Sequence, residues 1–399
     1  MPQDDFPFDP GWYRQAYPDV EVALRQGRIA SLERHYLDFG SREGRLPLAP
    51  QPSSERVFAY GSFGSNNVGD EAILEGIRCL YPRCVQFFSN RPRDGQGEYA
   101  QTAIRTPGFF RPGDYLIIGG GGLLYDRPTV TLMADLARAA RLAGATVDIL
   151  RLGCEAAQAG YVAEIKRLVS HARHVTVRSS LSREIMQRMT GRELPVEADF
   201  AYLLRPEAAA LPRALRDMPT IGIVTATTSL AEVKAIAAVI RAHSDKAAKP
   251  LRFVHIPHSR SYFNLENNDR ITGEEIWTSA HMHHARDQAS FEPLPYEGDP
   301  RRVLALYRTL DGVVSSRYHG LVFAALTDTP TLALGSNLLK LRGFLDDHPS
   351  PLSGATTADG LAKDFPPFLD MVLATRASRL AGASGNAPGA GIAAAAGAG

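Results

Sequence analysis

From residue 56 onward the sequence alternates short apolar runs with segments of helical periodicity, and it does so twice, on either side of a proline-rich break at 205–219. In the first series, strands are expected at 56–60, 115–118, 146–150 and 174–177. Helices are expected at 70–81, 131–142, 161–170 and 180–189. In the first of these helices Ile73, Leu74, Ile77 and Leu80 fall on one face. The second series predicts strands at 220–224, 252–256, 312–314 and 331–334, with helices at 230–242, 301–310 and 321–326. Strands that alternate with helices are joined by crossovers and lie parallel, so the pattern predicts two doubly wound α/β domains, over 55–205 and 219–380, with a cleft between them.

The two ends depart from this rhythm. Residues 1–50 carry closely spaced aromatics, among them Trp12, Tyr13, Tyr17 and Tyr36, and end in Gly40-Ser41-Arg42-Glu43-Gly44-Arg45. They predict a small helical accessory module, whose aromatics serve either packing or glycan processing. Everything that bears chemistry follows Pro52, so the module is expected to be removable without loss of the fold. At the other end, 382–399 is a Gly/Ala tail expected to lack structure.

The 44 basic and 43 acidic side chains nearly cancel, so any anion site has to be built locally and nucleic acid is not an expected partner. Cys79, Cys84 and Cys154 provide neither a disulfide framework nor a zinc spacing. With no apolar run long enough for a membrane span and no leader at the N-terminus, a cytoplasmic protein is expected. His281, His283 and His284 lie close in sequence, but only His281 and His284 share a helix face, and no metal site is expected.

Three strand-to-helix loops carry the candidate chemistry. The first runs Gly61-Ser62-Phe63-Gly64-Ser65-Asn66-Asn67-Val68-Gly69-Asp70, where the glycines allow close backbone approach, Asp70 can cap the helix, and Gly64, Asn67, Gly69 and Asp70 are candidate substrate-binding residues. It matches neither a dinucleotide fingerprint nor a phosphate-binding Walker loop. The second is the glycine run at 119–122, including Gly120 and Gly121. The third is Ser316-Arg317-Tyr318-His319-Gly320, which pairs a guanidinium fork suited to carboxylate or phosphate with an imidazole that titrates near neutrality.

Taken in order, residues 64–74 and 119–124, Val177-Arg178-Ser179, Ala198-Asp199-Phe200, Arg317-Tyr318-His319 and Thr329-Pro330 resemble polysaccharide pyruvyltransferases. The resemblance covers about 57–345. It implies a glycosyltransferase-B-like pair of Rossmann-like domains and phosphoenolpyruvate as donor substrate, with no other cofactor. It also implies a glycan or lipid-linked saccharide as acceptor, with association at the membrane periphery, and pyruvate transferred as a ketal. Arg317 and His319 become the catalytic pair, with His258 in Ile256-Pro257-His258-Ser259 as a second proton carrier. Arg178 and Lys340 become donor-binding cations, although each is equally readable as an exposed structural charge. Asp199 either orients an acceptor hydroxyl or caps a turn. The alternative function is a nucleotide-sugar glycosyltransferase of the same architecture, and a third reading is a non-catalytic glycan-binding protein.

Overall fold

The structure is a computed structural model of the 399-residue chain. It describes residues 8–40, 45, 47, 56–81, 86–89, 98–154, 159–204, 218–226, 229–244, 251–261, 268–281, 291–335 and 339–385. Among the described residues, twelve strands form two six-stranded sheets. The first contains β1 (Val57–Tyr60), β2 (Gln86–Ser89), β3 (Glu98–Tyr99), β4 (Tyr115–Gly119), β5 (Thr146–Leu152) and β6 (Val175–Val177), in spatial order β3-β2-β1-β4-β5-β6. The second contains β7 (Thr220–Val224), β8 (Arg252–His255), β9 (Phe291–Pro293), β10 (Gly312–Ser315), β11 (Thr331–Leu334) and β12 (Ser353–Thr356), in order β12-β11-β10-β7-β8-β9.

Counted within each half, the two orders are the same, and every pairing is parallel. Strand order reverses between β1 and β4 in the first sheet, where Ala59 lies opposite Ile117. It reverses between β7 and β10 in the second, where Val314 lies opposite Ile223. At such a switch point the two outgoing loops turn to opposite faces and leave a crevice at the carboxyl ends of the strands. The three candidate loops follow β1, β4 and β10.

The central strands are buried on both faces and the helices pack on them through apolar stripes. One apolar cluster crosses the seam between the halves: Val68 and Ala72 of the Val68–Leu80 helix meet Tyr202, Tyr318 and Leu321. Leu321 is 1% exposed and Val68 fully buried, and each such side chain contributes about 1.5–3 kcal/mol relative to exposure. Backbone pairing joins the halves beside it. Val68 N–H donates to His258 O at 2.8 Å, Arg260 N–H donates to Asn66 O at 2.9 Å, and Asn67 bridges Ser259.

The N-terminal module has its own core of Tyr13, Val20, Leu32 and Tyr36, so its aromatics serve packing. It is also tied to the first domain. Arg151, fully buried at the end of β5 with a left-handed backbone (φ 54°), donates from Nη2 to Tyr36 Oη and from Nε to Glu197, each at 2.9 Å. Its guanidinium lies 4.6 Å from the Phe200 ring centroid.

At the C-terminus the Leu361–Gly385 helix runs into the segment expected to lack structure, and the rest of the tail lies outside the described residues. Most of the 205–219 break, Cys84, His283 and His284 also lie outside them. No helix among the described residues is long and apolar enough to cross a membrane.

Candidate active site

A cavity of about 270 Å³ opens where the two switch points face each other. Ser62, Asn67 and Asp70 line it from the first loop and Gly121 and Gly122 from the second. Ala226 comes from the loop after β7, Ser316, Arg317, Tyr318 and His319 from the loop after β10, and Arg178, His258 and Lys340 complete the wall.

The glycine run supplies the near wall by its backbone alone. Gly119, Gly120 and Gly121 all have positive φ (152°, 69° and 74°), which side-chain-bearing residues rarely adopt, and the resulting turn presents main chain to the cavity. Asn67, and not Asp70 as expected, caps the Val68–Leu80 helix, accepting from Gly69 N–H at 3.1 Å, because the helix starts two residues before Asp70. Gly69 itself is a site of close approach between the halves. A Cβ there would stand 2.2 Å from His319 Nδ1, so the imidazole can reach the helix start only because residue 69 lacks a side chain.

The positive groups sit on a carboxylate scaffold. Arg178 is 2% exposed, unlike the solvated strand-end arginine that the sequence also allowed. Its Nη1 donates to Asp199 Oδ2 at 3.1 Å, and its guanidinium carbon lies 3.9 Å from the Tyr318 ring centroid. Lys340 Nζ lies over the same ring at 5.4 Å, a cation–π arrangement that fixes both charges beside the cavity. His319 Nε2 stands 3.6 Å from Asp199 Oδ1, longer than a hydrogen bond but close enough for charge coupling. Burial alone would raise the Asp199 carboxyl. The charges of His319 and Arg178 and the Ala201 amide outweigh burial and hold it well below the usual carboxylate range.

Arg317 holds the second carboxylate. Its Nε donates to Asp269 Oδ2 at 2.7 Å and its Nη2 to Oδ1, while the amides of His258 and Ser259 each donate to Oδ2 at 2.9 Å. The fork expected to grip a ligand is therefore closed on a buried aspartate.

His258 has no exposed surface. Burial, with the charges of Arg317 and His319, pushes its imidazole well below the ordinary histidine value. Tyr307 Oη meets its Nε2 at 2.9 Å, and its buried Nδ1 has no hydrogen-bond partner among the described residues. A ring held neutral in this way suits hydrogen bonding better than the proton delivery expected of it from sequence.

Four expected site residues do not line the cavity. Gly64 N–H donates to Glu71 Oε1 at 2.8 Å, Gly69 lies under His319, Gly120 packs against Ile73, and Asp199 stands behind Arg178 and His319. Each shapes the wall from outside. Asp269 and the aromatic platform Tyr318 escape sequence reasoning. Tyr318 carries a signal, being the middle residue of Arg-Tyr-His, whereas Asp269 is 48 positions from Arg317 and has none. A second cavity, of about 260 Å³, lies among Tyr202, Phe344, His348 and neighbouring hydroxyls, with no lysine or arginine in its lining. It lacks the fixed cations of the first cavity.

A family model described as polysaccharide pyruvyl transferase matches residues 67–337, more than half of the chain. The chain belongs to this family. The matched span of this chain reaches from the cap Asn67 to the segment just before Lys340. No curated protein matches the sequence. Among solved structures, an E. coli trehalose-6-phosphate structure bound with UDP-2-fluoro glucose is 13% identical with a TM-score of 0.52, over 82% of this chain and 94% of that one. A trehalose-6-phosphate synthase is likewise 13% identical, with a TM-score of 0.51 over the same shares. The UDP-GlcNAc 2-epimerase of Methanocaldococcus jannaschii is 10% identical with a TM-score of 0.48, over 77% of this chain and 91% of that one. The first two likenesses concern the fold: this pyruvyl transferase family member has the glycosyltransferase-B-like pair of Rossmann-like domains.

Proposed function

We propose that the protein transfers pyruvate from phosphoenolpyruvate to a sugar of a bacterial surface-glycan intermediate, closing a cyclic ketal across two hydroxyls. The observation that carries this reading is the convergence of Arg178, Lys340, Arg317 and His319 on one small cavity, in a chain of the pyruvyl transferase family. Phosphoenolpyruvate carries a phosphate and a carboxylate on one carbon, and so calls for several cations fixed in a partly dry site. Arg178 and Lys340, held over Tyr318, suit the two anionic groups, and the glycine turn and the helix start at Val68 add main-chain donors. Arg317, closed on Asp269, contributes mainly field and shape.

His319 suits the role of base. It takes the proton of the attacking sugar hydroxyl, and the Asp199 carboxylate 3.6 Å away stabilises the charged ring. His258, neutral and with an unpartnered Nδ1, suits a hydrogen bond to donor or acceptor. The reading carries a cytosolic location at the membrane periphery, where phosphoenolpyruvate and lipid-linked saccharides meet.

A second reading, chemistry on a nucleotide-linked sugar, draws on the two-domain structures of like fold, one of them bound with UDP-2-fluoro glucose. One assay separates the two. Surface-glycan fragments are supplied with phosphoenolpyruvate or with sugar nucleotides, and phosphate and nucleoside diphosphate are followed in parallel. Phosphate release together with a ketal in the product's mass spectrum is expected. Nucleoside diphosphate release alone would replace this reading by the second.

A further inference from the structure

Pyruvyl transfer begins with a proton delivered to carbon, since the donor's methylene becomes the methyl of the ketal. His319, backed by an ionised aspartate, is disposed to take protons, so a different group must give one. Asp70, in the first turn of the Val68–Leu80 helix, lines the cavity beside the glycine turn: a Cβ on Gly121 would stand 3.5 Å from its Oδ1. Its setting differs from that of the other two aspartates. Asp199 accepts from Arg178 and the Ala201 amide, and Asp269 from Arg317 and two amides. No described residue donates a hydrogen bond to Asp70.

We infer that Asp70 is the acid that protonates the donor's methylene carbon. The inference rests on the pyruvyl-transfer reading. Its neighbours explain how the acid is armed. Burial pushes the Asp70 carboxyl above its ordinary value, while His319, Arg178, Lys340 and Arg317 pull it down. Glu71, adjacent on the same helix, and Tyr296, from the second half, also couple to it. The donor's phosphate and carboxylate neutralise the Arg178 and Lys340 charges that restrain Asp70 and add negative charge of their own. Donor binding therefore draws a proton onto Asp70 and places an acid next to the carbon that needs it. The other nearby carboxyl, Glu71, is turned away by its bond from Gly64 N–H and does not line the cavity.

The step balances without a further reactant. The π electrons of the enol form a C–H bond with the Asp70 proton. The first sugar hydroxyl bonds to the resulting electron-poor carbon, and its proton passes to His319. The bond to phosphate breaks with its electron pair on the phosphate oxygen, which leaves as hydrogen phosphate with the His319 proton. The second hydroxyl closes the ketal and its proton returns to Asp70. Both groups end as they began.

The test needs no acceptor at first. Binding of phosphoenolpyruvate to the full chain is measured calorimetrically near pH 7 in two buffers of different ionisation enthalpy. The wild type is expected to take up a proton on binding. Asp70→Asn is expected to bind within about threefold of wild type without that uptake, and to lose roughly 10²–10⁴-fold in kcat with an acceptor that supports phosphate release. His319→Gln is expected to keep the uptake and lose turnover. Wild-type binding without proton uptake, or an Asp70→Asn protein that still takes up the proton, overturns the inference. If Asp70→Asn does not fold, Asp70→Glu decides: retained uptake with lowered turnover supports the acid, and unaltered turnover overturns it. A wild type that binds no phosphoenolpyruvate brings down the pyruvyl-transfer reading itself, which is a different result.

Discussion

Arg317 looks, in sequence, like a residue waiting for a carboxylate, and in the structure it already has one. Because two of its nitrogens donate to Asp269, Arg317→Lys should act first on stability. The ammonium keeps the charge but not the fork, and loss of a charged hydrogen bond costs about 1.5–3 kcal/mol. Chemical denaturation of the variant reads that cost, and an unchanged midpoint would mean that the pair contributes nothing net. Glu71 gives a second handle, on pH. Burial pushes its carboxyl from the ordinary 4.5 up to about 7, against the Gly64 amide and Arg78. A folded state that binds the proton more tightly than the unfolded chain has the whole of this stabilisation below pH 4.5, and loses it as pH rises through 7. Glu71→Gln should therefore flatten the decline in stability between pH 5 and 8. Denaturation midpoints across that range check the sign. Neither effect is legible in the sequence, which places Arg317 48 positions from its partner and gives Glu71 no visible neighbour but Asp70.

The helix that starts at Val68 shows how an element can act through what it lacks. Gly69→Ala should gain about 1 kcal/mol of helix propensity and lose it again to the collision with His319, so thermal stability should change little. The imidazole must shift, however, and a displacement near 1 Å typically costs about 10²-fold in rate. A Gly69→Ala enzyme with unaltered kcat would show that His319 does not need its present seat. Sequence periodicity finds this helix and the central strands because they are long and apolar, and 220–224 and 331–334 are read to the residue. It misses the outer strands Glu98–Tyr99, Phe291–Pro293 and Ser353–Thr356, which are paired on one side only and need no apolar run, and also the interior strand Gln86–Ser89, whose two phenylalanines are too short a run to stand out. The helices Asp269–His281 and Leu339–Asp347 are not among those expected, and with the first goes the scaffold carboxylate Asp269.

At the scale of the whole molecule, the N-terminal module is more than the removable attachment its sequence suggests. Tyr36 supplies a hydroxyl to a fully buried guanidinium, and Tyr36→Phe should cost about 1–3 kcal/mol by leaving Arg151 Nη2 short of a partner. Deleting 1–50 should cost at least as much and lower kcat, since Arg151 packs on Phe200, next to Asp199. A truncated chain as stable and active as the full one would return the module to the status of an attachment. The loops of the site are readable because strand order forces them to the switch points, whereas the contacts that hold the site in place join residues 21 to 194 positions apart and are not. The shared strand order of the two sheets has one more consequence. Two separate copies of one such half, meeting about a twofold axis, would have to furnish every feature of the cavity from both sides, glycine turn and Arg-His pair alike. Linked in a single polypeptide, the halves are released from that symmetry. One supplies the glycine turn together with Asp70 and Arg178, the other the Arg-His pair and Lys340, so each feature of the cavity is encoded once.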